Sequence, residues 1–207
     1  SGVLFINPNW HLQATLFAWK SSLLGNMSGI TTAASPTYWV FSLFEKLGAE
    51  TVSLQLLVST IVFLSSGFGI YLLTKELFPK IEKKLILIGV LCYWFNPFSL
   101  VNVWNRFTNN YIIFFGLFPI VLYFFLKGIK TKRYFYSYIV ILLCTIFSFA
   151  LTSLPFNLLM WLTFVYTSVF FGLFSKHKLF IVKFFLLTLV LFTLTNLWWI
   201  SQLFTLT

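Results

Sequence analysis

The sequence contains no aspartate, and glutamate occurs only four times among 207 residues. Charged residues make up 9% of the chain, compared with about 25% in an average soluble protein. Chemistry that needs paired carboxylates is therefore nearly excluded. Glu76 and Glu82 lie among lysines and are predicted to balance charge. Glu45 or Glu50 could serve as a base, but a solvated surface role is more typical of such positions.

Cysteine and histidine each occur twice, which is too few for a disulfide framework or a metal cluster. Cys92 and Cys144 both fall in apolar segments, where a free thiol behaves as a small hydrophobic side chain. His11 and His177 fall on opposite sides of the predicted membrane topology, so they cannot share a metal. The sequence also lacks a glycine-rich phosphate loop and a Ser-His-Asp set. It therefore identifies no metal site, no cofactor and no complete active site.

Hydrophobic residues dominate the chain: they make up 59% of it, Phe alone occurs 28 times, and the mean hydropathy is +0.93. Six apolar segments are each close to the roughly 20 residues with which an α-helix crosses about 30 Å of hydrocarbon. Their continuous apolarity excludes the alternating pattern of outer-membrane β-strands. The fold class is predicted to be all-α, a polytopic membrane protein with about six transmembrane helices. The predicted spans are 52–74, 85–103, 110–126, 134–151, 155–174 and 179–200.

Basic residues are distributed unevenly between the predicted loops. Ten of the 14 lysines and arginines fall on one side: Lys75, Lys80, Lys83, Lys84, Lys127, Lys130, Lys132, Arg133, Lys176 and Lys178. The positive-inside rule makes this side cytoplasmic. The chain is thus predicted to be integral to the cytoplasmic membrane, with residues 1–51 and the C-terminal end extracytoplasmic. Apolar runs separate these cations, so the net charge of +10 does not indicate nucleic-acid binding.

The first 51 residues differ in kind from the rest. Their two apolar patches, 10–24 and 38–47, are too short to cross a membrane. Trp10, Trp19 and Trp39 are of a residue type that favours the membrane interface. Residues 1–51 are therefore predicted to form an extracytoplasmic loop with amphipathic helices that lie on the membrane.

Prolines predict where the helices are interrupted. Pro97 lacks an N–H and disfavours helix at Asn96, so the second span is predicted to kink or end there. Pro119 is predicted to bend the third span, and Pro155 to follow a tight turn between the fourth and fifth. Gly67 and Gly69 are predicted to permit close helix packing.

Asparagine and tryptophan cluster around the turn between the second and third spans, and Arg106 is the basic residue among them. Because a guanidinium matches phosphate geometry, Arg106 could bind an anionic group such as a lipid-linked phosphate. An interfacial anchor is the alternative that the residue types favour. Trp198 and Trp199 are predicted to belong to an aromatic belt. The candidate substrate-binding residues are Arg106, Asn105, Trp104, Asn96, Asn7 and Trp10.

Short motifs are spread over most of the chain: Phe5-Ile6-Asn7-Pro8, Ser35-Pro36-Thr37-Tyr38, Trp94-Phe95-Asn96-Pro97-Phe98, Thr152-Ser153-Leu154-Pro155 and Asn196-Leu197-Trp198-Trp199. On these motifs the chain resembles the multispanning GT-C glycosyltransferases, especially microbial members similar to arabinofuranosyltransferases. The resemblance implies transfer of a sugar from a polyprenyl-phosphate donor on the outer face. It also implies a module in which a first helix leads into a long outer loop, followed by further spans.

The chain resembles that outer loop and the six helices after it, so it is expected to be a fragment. The family's catalytic residue is acidic, commonly Asp, and lies near the start of the loop. It has no counterpart from Ser1 onward, so the catalytic residues are unknown. The acid is expected in a preceding segment unless this member is inactive. Arg106 matches a donor-phosphate contact by position, and a divalent metal could bind the full-length protein.

Two alternatives stay open. Six helices with short loops are equally typical of a transporter, a permease or a lipid-carrier subunit. Ion-coupled transport usually places ionisable residues inside the membrane, however, and these spans hold only Lys183 near one end. A non-catalytic membrane scaffold is the other alternative. In the main hypothesis the partners are the lipid bilayer and a lipid-linked sugar donor.

Overall fold

The computed structural model describes residues 12–13, 19–20, 26–27, 33–105 and 109–204. Within them the fold is all-α, apart from a two-residue antiparallel pair in which β1 (Trp19–Lys20) faces β2 (Asn26–Met27). The helices, in chain order, are α1 (Ser35–Lys46), α2 (Thr51–Leu77), α3 (Lys83–Phe95), a π-helix (Ser99–Asn105), α4 (Asn109–Thr131), α5 (Phe135–Ile146), α6 (Ser148–Leu151), α7 (Leu154–Phe174) and α8 (Lys178–Phe204).

Four helices are long and apolar enough to cross a membrane: Val52–Leu77, Asn110–Thr131, Leu154–Phe174 and Lys178–Ser201. They indicate an integral membrane protein, and they match four of the predicted spans. The other two predicted spans are each divided: 85–103 is interrupted at Asn96, as predicted, whereas the expectation of a single helix over 134–151 was wrong. The first is divided between α3 and the π-helix, and the second between α5 and α6.

The two divisions have different physical causes. Pro97 cannot donate a main-chain hydrogen bond, and Asn96 before it has extended ψ (157°), so α3 ends at Phe95 as predicted. At the second division neither proline nor glycine is present. Instead, the carbonyl of Ile146 accepts a hydrogen bond from the side chain of Thr37 in α1 (2.8 Å). α4, by contrast, continues through Pro119.

Successive segments run in alternating directions, which brings the lysine-rich loops to one end. Lys130 Nζ near the end of α4 lies 3.3 Å from Glu76 Oε1 near the end of α2. The rings of Tyr134 and Phe180 pack at 4.8 Å, so the start of α8 lies at the same end. We call this end, with loops 78–82, 132–134 and 175–177, the basic end. Glu76 thus balances a lysine, as predicted.

The opposite end carries α1, the junction of α3 with the π-helix, and the turn at 152–153. Phe98 packs on Tyr111 at the start of α4 (6.1 Å between ring centroids), and Tyr111 packs on Phe156 at the start of α7 (4.6 Å). Ser148 Oγ of α6 donates to the carbonyl of Ala33, just before α1 (2.6 Å). We call this end the rim end. The turn that was predicted before Pro155 is therefore confirmed.

α4 is the central helix of the bundle. In its most apolar stretch 72% of the helix is buried inside the protein, compared with 22–28% in the corresponding stretches of the other three long helices. Phe125 stacks on Phe164 of α7 with centroids 4.0 Å apart, and it also packs on Phe184 of α8. These rings join α4, α7 and α8 into the main core, while the outward faces of α2, α7 and α8 expose large apolar side chains, as a lipid environment requires.

Glycines bring α2 and α4 into close contact. A Cβ at Gly69 would lie 2.8 Å from Pro119 Cβ and 3.0 Å from the backbone nitrogen of Ile120. From the other side, a Cβ at Gly116 would lie 3.0 Å from the carbonyl oxygen of Val62. Gly67 faces the ring of Trp94 in α3 in the same way. The close packing that was predicted at Gly67 and Gly69 is confirmed.

Candidate functional site at the rim end

Asn96 starts a new helical turn directly after α3 ends. Its Oδ1 accepts the N–H of Ser99 (3.0 Å), and Pro97 occupies the first helical position, where a missing N–H costs nothing. Its Nδ2 donates to the carbonyl of Tyr93 (2.7 Å) and to Ser99 Oγ (2.8 Å). Asn96 therefore has a structural role, because it caps one helix while it bonds to the last turn of the other.

The π-helix that follows has the wide turn seen often near functional sites. Val103 is buried against Phe41, Leu54 and Ile112, so this residue anchors the segment to α1, α2 and α4. Asn105, at its end, is exposed. No feature of the sequence indicated a π-helix here, since its residues fit an ordinary helix equally well.

The predicted site residues are described only in part. Asn96 lies just before the π-helix, whose backbone includes Trp104 and ends at Asn105. Arg106, Asn7 and Trp10 lie outside the described residues. Whether these six side chains form one binding site therefore stays a prediction.

Helix α1 is fixed to the junction of α5 and α6. Thr37 Oγ1 donates to the Ile146 carbonyl (2.8 Å), and Ser148 Oγ donates to the Ala33 carbonyl (2.6 Å). α1 ends where Gly48 adopts a positive φ of 90°, which glycine tolerates. The predicted amphipathic segment 38–47 is thus helical over nearly its whole length. Burial raises the pKa of the half-buried Tyr38 hydroxyl because it disfavours the phenolate.

A cavity of about 230 Å³ lies between α1, α2, α4 and α5. Its polar side chains are Thr37 and Ser65, and the rest of its lining is apolar, together with Gly116. Among the lining residues Leu57 and Ile61 of α2 are exposed, so the cavity opens onto the outer surface of that helix. We call it the side cavity.

A buried polar cluster joins α5 and α8 near the rim end. Asn196 is fully buried, and its Oδ1 accepts a hydrogen bond from Trp199 Nε1 (2.9 Å). Asn196 Nδ2 donates to the Phe192 carbonyl (3.0 Å) and lies 3.4 Å from Thr145 Oγ1. Trp199 is 0% exposed. Its assignment to an aromatic belt was wrong, because its indole N–H is satisfied inside the protein and not at the membrane surface.

Charged groups are sparse in the described part of the chain. Among its residues no three His, Cys, Asp or Glu side chains are close enough to hold a metal. In the candidate spans the charged side chains lie in the turns nearest the basic end, where Lys127 donates to Tyr123 Oη (2.7 Å). At the rim end Glu50 is exposed and Glu45 is half-buried on α1.

Comparisons of the chain with protein-family models, with curated proteins and with solved structures found no match.

Proposed function

We propose that this chain is part of a membrane glycosyltransferase that transfers a sugar from a polyprenyl-phosphate-linked donor at the extracytoplasmic face. The observation that best supports the proposal is the difference between the two ends of the bundle. Lysines collect at the basic end, whereas interrupted backbone at Asn96, the π-helix and α1 collect at the rim end. Non-helical backbone at membrane depth is tolerated where it packs on protein or lines a polar cavity. The rim end is thus suited to bind a polar headgroup.

The proposed topology follows from the same difference. The positive-inside rule makes the basic end cytoplasmic and the rim end extracytoplasmic. α3 with the π-helix, and α5 with α6, then each make one crossing, which with the four long helices gives six. Residues 1–51, including α1, then lie on the extracytoplasmic side as an outer loop.

Within this topology Arg106 is the proposed phosphate contact. It directly follows Asn105, which is exposed at the end of a π-helix whose Val103 is anchored in the protein. The planar guanidinium of arginine can present two parallel N–H groups to a phosphate. The exposed amide of Asn105 can donate a hydrogen bond to the same headgroup or accept one from it.

The test is donor turnover by the protein expressed from its whole gene, in proteoliposomes that contain radiolabelled polyprenyl-phosphate sugars. Loss of a charge-assisted contact costs about 1.5–3 kcal/mol, so Arg106→Ala should lower turnover by roughly tenfold or more. Arg133→Ala is the matched control, since Arg133 is the other arginine of the chain and lies at the basic end. Its turnover should match that of the wild type.

Two results would contradict the proposal. One is equal loss of turnover in both arginine variants. The other is that no labelled sugar leaves any donor while fluorescent lipid moves between the leaflets, a result that would favour a lipid carrier.

A further inference from the structure

We propose that the side cavity between α1, α2, α4 and α5 binds one acyl chain of a bilayer phospholipid, which enters sideways from the membrane past α2. This goes beyond sugar transfer and does not depend on it.

Water is a poor occupant of the side cavity. A buried water needs two to four polar partners, and the lining supplies only the hydroxyls of Thr37 and Ser65. The Thr37 hydroxyl already donates its hydrogen to the Ile146 carbonyl. An empty cavity would forfeit the dispersion contacts of its wall atoms, so an apolar occupant is favoured.

The dimensions match a single acyl chain of one leaflet. Along α2 the lining extends from Leu54 near the rim end to Ser65, which at 1.5 Å per residue is about 16 Å. This is close to half of the roughly 30 Å of hydrocarbon in a bilayer. The volume is about 230 Å³, and an apolar cavity of about 150 Å³ already holds benzene. The cavity therefore has room for a segment of one acyl chain.

The side cavity opens toward the membrane, which makes bilayer phospholipid the source of the acyl chain. Leu57 and Ile61 line the side cavity and are 44% and 52% exposed on α2, a helix that is long and apolar enough to cross the membrane. The cavity is thus continuous with the lipid-facing surface of the protein. Phospholipid acyl chains are the solvent at that surface, so mass action favours them over a scarce lipid.

The experiment uses the full chain, stripped of lipid in detergent and titrated with dioleoylphosphatidylcholine, with bound lipid counted by native mass spectrometry. After the titration the wild type should bind one phospholipid per chain. Leu57→Trp fills the opening and should reduce that occupancy at least fivefold. Leu56→Trp is the matched control, because Leu56 is the same residue type on the same helix, is 69% exposed and does not line the cavity. It should retain the phospholipid.

Each contrary outcome overturns the proposal. If the wild type retains no phospholipid, or if Leu57→Trp and Leu56→Trp retain it equally, the side cavity is not an acyl-chain site. If undecaprenyl phosphate displaces the phospholipid at equimolar concentration, the side cavity binds the donor lipid instead. Normal sugar transfer by Leu57→Trp would leave the proposed function intact, so the two proposals can fail separately.

Discussion

The hydroxyl of Tyr93 in α3 donates a hydrogen bond to the main-chain carbonyl of Phe115 in α4, at 2.9 Å. In an α-helix this carbonyl would accept the N–H of residue 119, but residue 119 is proline and has none. Tyr93 therefore supplies the donor that Pro119 lacks, and its ring stacks on that of Phe115 with centroids 4.6 Å apart. The contact explains how α4 passes through a proline inside an apolar environment.

Tyr93→Phe should destabilise the protein through this carbonyl. Hydrogen bonds between membrane helices are worth about 0.6–1.7 kcal/mol, and a loss of about 1 kcal/mol lowers Tm by roughly 2–4 °C in a chain of this size. In a Pro119→Ala background residue 119 regains its N–H, so Tyr93→Phe should cost less than half as much. Thermal unfolding of the four proteins in one detergent gives both values. Equal losses in the two backgrounds would show that the Tyr93 hydroxyl does not compensate for the N–H that Pro119 lacks.

Substitution by alanine should have opposite effects at Gly69, which lies in the interface of α2 with α4, and at Gly89, which lies outside it. Gly69→Ala places a Cβ 3.0 Å from a backbone nitrogen that cannot easily move, so overpacking should cost about 1–3 kcal/mol. Gly89 lies in α3 with open space around its Cβ position. Gly89→Ala should be neutral or stabilise the protein by up to about 1 kcal/mol through helix propensity. The two unfolding midpoints should move apart, and a loss at Gly89 as large as that at Gly69 would contradict the packing argument.

The long helices could be predicted from the sequence because hydropathy and length determine them locally. The prediction 155–174 differs from the observed Leu154–Phe174 by a single residue. The end of α3 could also be predicted, because Pro97 acts on its immediate neighbour. These features depend on residues that are adjacent in the chain.

The remaining features depend on residues far apart in the chain. The division between α5 and α6 involves Thr37 and Ile146, which are 109 positions apart, and no local sequence signal marks it. A tryptophan near the end of a helix can face either lipid or protein, and the sequence does not distinguish the two. The burial of Trp199 against Asn196 could therefore not be predicted. The side cavity likewise is lined by residues of α1, α2, α4 and α5, which are far apart in the sequence.

Asn96 was a candidate for substrate binding, and its contacts allow the two roles to be separated. Asn96→Ala removes the oxygen that caps the N–H of Ser99 and should cost about 1 kcal/mol. Asn96→Ser keeps a capping oxygen, so its unfolding midpoint should stay closer to that of the wild type. Asn102→Ala, which removes one hydrogen bond to the Phe98 carbonyl, serves as a neighbouring control. If Asn96 only caps the helix, the serine variant keeps both stability and donor turnover. Lost turnover with retained stability in that variant would instead place the Asn96 amide in contact with the substrate.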